Sequence, residues 1–425
     1  MVVVLFGLRI AEVAAMNARL GGMLAVVLCV QGAACAQSTR VPAAFQDLYS
    51  SLQQSLDAFD RTVSSHPTPK SSVMWSAELL TANCNRGRAL LDPASQEYIG
   101  LELDRLQSLG VKAVTMCIGF PVLYQPFFVF NGDPGDYPRF VKFYRDLSAQ
   151  IHGRGLKLIV ESSVLFPGGY SRESGFRLAE YYPTLQSGQL NDGRAQTLIA
   201  IAKEVRPDFL NLGSEPDTEA AISKNRAFTN PAAYGDTISS FVRQLRQAGV
   251  AGIPIGAGIG TWQPEGPAFV RALLASGIDY LDLHVYPVNN SYLDNAITYA
   301  DMAHSAGKQV AISEAWLLKA RNSELGRINA INNPATFARD VDSFWMPLDQ
   351  KFLGDMVKYA NWKNLLYFSP FWTRYFWSYL DYAAVDPRTP PGEVLQQASR
   401  SALRAMQSRN MTPTGGFYRN EISGK

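Results

Sequence analysis

Short apolar runs recur along most of the chain, and segments with the periodicity of amphipathic helices separate them. Eight runs are continuous enough to be strands buried on both faces. They are Val73–Leu79, Ala113–Phe120, Leu156–Ser163, Phe209–Glu215, Ile253–Trp262, Tyr280–Pro287, Gln309–Trp316 and Leu365–Trp372. The helical patterns include Gln96–Leu109, Arg139–His152, Arg194–Val205, Ala233–Ala248 and Asn295–Ser305. This alternation predicts an α/β fold, a (β/α)8 TIM barrel over residues 73–410. An open doubly wound sheet is the alternative, but no glycine-rich phosphate loop follows the first strand.

An extra helix is predicted ahead of the barrel, within the segment 37–72. Its apolar positions recur every three or four residues and form one stripe. They are Phe45, Leu48, Leu52, Leu56, Phe59 and Val63. We expect this stripe to pack on the outside of the barrel, with partner binding as the alternative, and a linker rich in Pro and Ser to follow it. Residues 411–425 are expected to form a C-terminal tail.

The first 36 residues are typical of an export signal and are excluded from the fold. A basic region ends at Arg19, the apolar run Leu20–Val30 follows, and Ala34-Cys35-Ala36 offers a cleavage site. Met16 is a better start for this signal than Met1. The apolar run is shorter than the roughly 20 residues of a membrane span. We therefore expect an exported, periplasmic or extracellular protein without a stable membrane span, and rank lipid anchoring at Cys35 second.

Composition narrows the class of protein but not its chemistry. Of 425 residues, 47% are hydrophobic and 18% charged, which is typical of a soluble globular protein. The net charge of +2 and the lack of a dense basic run predict no nucleic-acid partner. Outside the signal region only Cys84 and Cys117 remain, and they are either paired or free. Oligomeric state is left open.

Two glutamates stand at the predicted carboxyl ends of strands four and seven, where TIM barrels carry their active sites. Glu215 and Glu314 each end an apolar run, and buried carboxylates are costly unless they have a role or a partner. Cleavage of an acetal needs an acid that protonates the leaving oxygen and a carboxylate that opposes it. The pair therefore predicts glycoside hydrolysis. The alternative is that both are ion-pair partners at the rim.

The motif Ser214-Glu215-Pro216 resembles the Asn-Glu-Pro motif of the clan A glycoside hydrolases. The resemblance covers roughly residues 73–400. Within the clan, the sequence is similar in its general pattern to the endo-β-1,4-galactanase and β-mannanase branches. It implies that Glu215 is the acid/base and Glu314 the nucleophile of a retaining enzyme. Ser214 stands where the clan has a sugar-binding asparagine, and no arginine lies in strand two. Arg86 or Arg88 could reach the site instead, or serve in packing or at the surface.

Further polar residues at the same end of the barrel are candidates for substrate binding. His284 and Tyr286 share a face of strand six with Asp282. Tyr286 is expected to donate a hydrogen bond to Glu314 and hold it ionised, with packing as the alternative. Glu161 ends strand three. It would bind a sugar hydroxyl, shift the pKa of Glu215 or pair with a rim arginine.

Three tryptophans end predicted strands, and flat rings suit the C–H faces of sugars. Trp262, Trp316 and Trp372 end strands five, seven and eight. Trp372 resembles the tryptophan that forms the floor of the subsite for the reactive sugar in the clan. Core packing is the alternative for each ring.

These observations predict an exported retaining β-glycoside hydrolase with a polysaccharide or oligosaccharide as substrate, and no metal or cofactor is implied. The main alternative is a carbohydrate-binding barrel that has lost hydrolysis. A metal-dependent barrel lyase or isomerase is the lesser alternative, because the four histidines do not cluster in the sequence. The environment is expected to keep Glu215 protonated and Glu314 ionised.

Overall fold

Eight parallel strands form one sheet in a computed structural model that describes residues 40–67, 72–166, 175–289, 291–325 and 333–424. The predicted signal, residues 1–36, and part of the linker lie outside the described residues. The strands are β1 (Met74–Trp75), β2 (Ala113–Cys117), β3 (Lys157–Glu161), β4 (Phe209–Asn211), β5 (Ile255–Gly260), β6 (Tyr280–Val285), β7 (Gln309–Ala315) and β8 (Tyr367–Pro370). Each lies within its predicted apolar run. The runs are longer because their last residues form the loops that carry the site.

The sheet closes into a barrel. Hydrogen-bonded neighbours follow the order β1-β8-β7-β6-β5-β4-β3-β2. The two end strands then meet, since the Lys112 amide donates to the Trp75 carbonyl at 2.8 Å and Glu78 bridges to Thr115. The predicted (β/α)8 barrel is confirmed.

Fourteen α-helices occur in the described residues, and most cover the outside of the barrel. They are α1 (Gln46–Ser64), α2 (Pro93–Leu109), α3 (Gln125–Asn131), α4 (Asp136–Gly153), α5 (Leu178–Tyr181), α6 (Ser187–Ala200), α7 (Pro216–Ser223), α8 (Pro231–Gln247), α9 (Gly266–Ala275), α10 (Tyr292–Ser305), α11 (Pro334–Ala338), α12 (Met346–Lys363), α13 (Pro391–Gln407) and α14 (Pro413–Ser423). No described helix has the length and apolar character of a bilayer span.

The predicted N-terminal helix is present as α1 and packs against α12 on the outside of the barrel. Its stripe from Leu48 to Val63 is buried, and Phe59 contacts Tyr359 with ring centroids 5.8 Å apart. The segment expected as a C-terminal tail instead forms α14. Its Tyr418 is fully buried and donates a hydrogen bond to the Ser76 carbonyl at 2.9 Å, so this end of the chain is part of the packed structure.

Cys84 and Cys117 form a disulfide, with their Cα atoms 5.5 Å apart. The bond joins the end of β2 to the 3-10 segment Cys84–Leu91. Of the two arrangements left open by the sequence, the structure has the paired one. The crosslink holds the loop after β1 against the barrel rim.

Buried carboxyl groups predict how stability depends on pH. Burial is the largest cause that raises the pKa of Asp340, Asp342 and Asp355 to about 7 in each case. Their contribution to stability is therefore complete below about pH 4 and is lost as the pH rises through about 7. We expect the thermal midpoint to fall between about pH 5 and about pH 8. Calorimetry across this range checks the prediction, and a midpoint that rises instead contradicts it.

Candidate active site

The cleft at the carboxyl ends of the strands brings five of the predicted site residues together. Its volume is about 30 Å³, and its lining includes Glu161, Ser214, Glu215, His284 and Glu314. Each of these side chains is at least nine-tenths buried. The strands that carry them, β3, β4, β6 and β7, thus converge on one acidic centre.

Local backbone geometry places Glu215 at the start of α7. Strand β4 ends at Asn211, and Gly213 then adopts a φ of +156°. A Cβ atom at Gly213 would lie 2.5 Å from Glu219 Oε1 and 2.9 Å from the Tyr234 hydroxyl, so a larger residue does not fit. Behind this turn, the Arg194 guanidinium donates to the Leu212 carbonyl at 2.7 Å and pairs with Glu219 in the core. The loop that carries Glu215 therefore rests on a buried ion pair.

Glu314 is turned toward the cleft by an irregularity in β7. The register between β6 and β7 shifts by one residue, so that Leu283 pairs with Ile312 and His284 pairs with Glu314. Bulges of this kind redirect a side chain at the end of a strand. The Tyr286 hydroxyl donates to Glu314 Oε2 at 2.6 Å, which is the contact predicted from the sequence.

His284 lies between the two candidate catalytic carboxylates. Its Nδ1 atom is 3.0 Å from Glu215 Oε1 and 3.4 Å from Glu314 Oε2. Because both oxygens are close to the same nitrogen, they cannot be further apart than 6.4 Å, the sum of these distances. On the other side of the ring, Nε2 is 3.2 Å from Glu161 Oε2. The imidazole is thus in contact with carboxylates on three strands.

Asp282 forms a fully buried hub beneath His284. Its Oδ2 atom accepts hydrogen bonds from Ser214 Oγ at 2.6 Å, from Ser313 Oγ and from the Asn211 side-chain amide, and Oδ1 accepts from the Ser313 amide at 2.9 Å. Ser214 lines the cleft, but its hydroxyl donates to Asp282. Ser214 therefore helps to hold the hub.

Sequence reasoning missed Glu78 and Asn211. Glu78 follows β1, is 1% exposed, and has no hydrogen-bond partner for Oε1. Burial raises its pKa well above the ordinary value, and Glu161 and Glu314 raise it further. The signal was available, since Glu78 interrupts an apolar run as Glu215 and Glu314 do. Asn211 gave no such signal, because its role depends on a hydrogen bond from its side-chain amide on β4 to Asp282 on β6.

The charge state of Glu314 differs from expectation. Burial raises the pKa of Glu314 well above its ordinary value, and Glu161 and Glu215 add to this while His284 opposes it. At Glu215, burial raises the pKa, whereas the hydrogen bond and the charge of His284 lower it. Burial lowers the pKa of His284, but the surrounding carboxylates raise it well above the ordinary value. The raised pKa of Glu314 is thus contrary to the ionised state predicted for this residue.

Neither arginine proposed to replace the missing strand-two arginine reaches the cleft. Arg86 donates to the Thr81 carbonyl at 2.6 Å and to Ser95, and Arg88 pairs with Asp136 at 2.7 Å. Both serve the packing of the loop after β1. Among the described residues, no lysine or arginine forms an ion pair with Glu78, Glu161 or Glu314.

The three strand-end tryptophans lie in the core. Trp316 is 1%, Trp372 2% and Trp262 9% exposed, and the described lining of the cleft contains none of them. Trp372 packs against Tyr286 with ring centroids 6.4 Å apart, and Trp262 Nε1 donates to Asp217 at 3.0 Å. Contact of these rings with a sugar stays a prediction.

One further property of the site concerns cations. One ligand atom from each of Glu161, His284 and Glu314 lies within 4.8 Å of the other two. Carboxylate and imidazole groups at such spacing are compatible with a divalent ion. Glu161 and Glu314 therefore have a chemistry open to either a cation or a sugar.

Comparisons with known proteins give likenesses in structure alone. No family model matches the chain, and the search of curated proteins gives no match. Among solved structures, the chain is similar to a GH113 β-1,4-mannanase, with 12% identity over 80% of this chain and 99% of that one and a TM-score of 0.43. An exo-β-1,4-mannosidase from Opitutaceae bacterium strain TAV5 has 14% identity over 80% and 60%, with a TM-score of 0.48. The GH1 β-glucosidase of Exiguobacterium antarcticum B7 has 10% identity over 84% and 98%, with a TM-score of 0.46.

Proposed function

We propose that this chain is an exported retaining β-glycoside hydrolase that acts on a polysaccharide or oligosaccharide. The separation of the two glutamates carries the proposal. Glu215 Oε1 and Glu314 Oε2 are at most 6.4 Å apart, because both lie close to His284 Nδ1. Retaining enzymes hold their carboxyl groups about 5–5.5 Å apart and inverting enzymes about 6.5–9.5 Å apart. The observed limit favours direct attack by a carboxylate over attack by an interposed water.

In the first step, the Glu314 carboxylate attacks the anomeric carbon, and the bond to the leaving oxygen breaks. Glu215, as a carboxylic acid, gives its proton to that oxygen. In the second step, Glu215 takes a proton from water, whose oxygen displaces Glu314 from the sugar. Tyr286 stabilises the departing Glu314 carboxylate through its hydrogen bond.

The reaction requires a proton on Glu215 and none on Glu314, whereas the raised pKa of Glu314 favours a proton on Glu314. His284 Nδ1 contacts both carboxylates, so it is positioned to pass a proton from one to the other. His284 therefore acts in this proposal as the residue that sets the charge state of the pair.

A carbohydrate-binding barrel without hydrolysis is the second candidate. The raised pKa of Glu314 favours it, because a protonated carboxyl is a poor nucleophile. So does the absence, among the described residues, of an arginine or lysine paired with Glu314.

Product stereochemistry tests the proposal. We expect the protein to release sugar from one or more members of a panel of aryl β-glycosides and β-glycans. Proton NMR of the fresh reaction mixture is expected to show the β-anomer first, with the α-anomer appearing later by mutarotation. An α-anomer as first product contradicts retention. Binding without turnover supports the second candidate, and activity that a chelator abolishes contradicts the two-carboxylate mechanism.

A further inference from the structure

We infer that the sugar bound at this cleft carries a protonated amine, because its buried carboxylates outnumber the cations that the described residues supply. The inference rests on the proposed function and names its substrate class. The carboxylates concerned are Glu78, Glu161, Asp282 and Glu314, and the described cation that contacts this group is His284.

Asp282 does not need a further partner. Its two oxygens accept four hydrogen bonds from Asn211, Ser214 and Ser313. Such a set of donors stabilises an ionised carboxylate in the core. The acceptor capacity of Asp282 is therefore filled within the protein, and a ligand in the cleft is not needed to satisfy it.

Glu161 and Glu78 differ from Asp282 because each has an oxygen to which no N–H or hydroxyl group of the described residues donates. The hydrogen bonds of Glu161 include those with His284 and with the carboxyl group of Glu314. The oxygens without such a donor, Glu161 Oε1 and Glu78 Oε1, are buried. Buried acceptors in this state cost free energy until a ligand supplies a donor. Of the two residues, Glu161 lines the cleft and is 7% exposed, so a ligand in the cleft can reach it.

An ammonium group supplies what Glu161 lacks better than a sugar hydroxyl does. It carries three N–H donors and a positive charge, whereas a hydroxyl carries one donor and no charge. Hydrogen bonds between ionised groups are roughly twice as strong as those between neutral groups. The cationic pyranoses in common supply are the 2-amino-2-deoxy sugars, which we take as the substrate class.

The same ammonium group would correct the charge state of the nucleophile. Glu314 has Glu161 as a neighbour, and that charge helps to raise the pKa of Glu314. A cation bound at Glu161 neutralises this charge and favours the ionised form of Glu314. The substrate itself would then complete the charge distribution that attack requires.

A divalent ion at Glu161, His284 and Glu314 would satisfy the same carboxylates. Such an ion would also occupy the lone pairs with which Glu314 attacks, so we expect the ion to inhibit the reaction. The amine is therefore the better match to a site that turns over a glycoside.

Paired substrates test the inference. Nitrophenyl β-glucosaminide and β-galactosaminide are compared with the parent β-glucoside and β-galactoside and with their N-acetylated forms, at about pH 6, where the amine is protonated. We expect kcat/KM to be about 10-fold to 100-fold higher for the amine than for the matched hydroxyl or acetamido sugar. Free glucosamine is expected to inhibit the unmodified protein more strongly than glucose does.

The variant Glu161→Gln keeps the shape of the side chain and removes its charge. We expect it to reduce the amine-to-hydroxyl ratio by about 10-fold or more, whereas Glu97→Gln, at an exposed position of α2, leaves the ratio unchanged. Thermal unfolding followed by circular dichroism shows whether the variant is folded. If it does not fold, inhibition of the unmodified protein by glucosamine decides.

Turnover of neutral glycosides in preference to amines overturns the inference and leaves the proposed function standing. A ratio unaffected by Glu161→Gln also overturns it. Turnover of neither class, in the aryl glycosides or in β-glycans and deacetylated chito-oligosaccharides, removes the proposed function as well. Activation by added zinc or manganese, lost with a chelator, assigns the carboxylates to a metal instead.

Discussion

Replacing Glu314 with alanine is expected to lower kcat/KM by about 10⁴-fold or more, because the covalent intermediate then cannot form. Sodium azide should restore product as the α-glycosyl azide, since azide enters from the face that Glu314 occupied. In Glu215→Ala, azide should instead attack the intermediate and give the β-glycosyl azide. Activity assays and NMR of the azide products separate the two roles.

Glu215→Ala also has a leaving-group signature. We expect it to retain most of its first-step rate on dinitrophenyl glycosides, which leave without protonation, and to lose far more on nitrophenyl or natural substrates. Glu97→Ala serves as the control for both variants, because Glu97 is exposed on the outer helix α2. A Glu314→Ala protein with unchanged turnover would show that the strand-seven glutamate is not the nucleophile.

The second large effect concerns stability. Glu219→Ala is expected to lower the free energy of unfolding by about 3–5 kcal/mol, because it leaves the guanidinium of Arg194 buried without its carboxylate. The two side chains are 0% and 1% exposed, and Arg194 lies between the rings of Phe228 and Phe241. The loop that carries Glu215 also depends on this pair, so activity should fall with stability.

Urea unfolding measures the change. The control is Glu204→Ala, which removes the partner of Arg145 in an ion pair of the same residue types on the surface. Exposed pairs contribute about 0–1 kcal/mol, so little change is expected there. A Glu219→Ala protein that loses less than about 1 kcal/mol would mean that Arg194 finds other partners or water when its carboxylate is removed.

The sequence was sufficient for the barrel and for the opposing glutamates, because both depend on local signals. Continuous apolar runs identify strands buried on two faces, and a glutamate at the end of such a run is conspicuous. The contact between Tyr286 and Glu314 followed from alternation along β6 and the adjacency of β7. These inferences needed only the order of elements in the chain.

The arrangement around Asp282 could not be predicted in the same way. It depends on the register shift at Ser313 and on Asn211 reaching across the barrel. The charge state of Glu314 could not be predicted either, because its pKa depends on Glu161 and Glu215, which come from distant parts of the chain. A local sequence pattern carries no information on the combined effect that charges from distant residues have on a pKa.

The Asp282 hub has a consequence for how this site can change over evolutionary time. Its hydrogen bonds tie β4, β6 and β7 together inside the barrel, below the loops of the rim. The spacing of Glu215 and Glu314 is therefore fixed by core residues. Mutations in the rim loops can alter which molecule is accepted while the reaction class persists. Mutations in the hub should change the spacing itself. Selection for activity on any glycoside should therefore remove these mutations first.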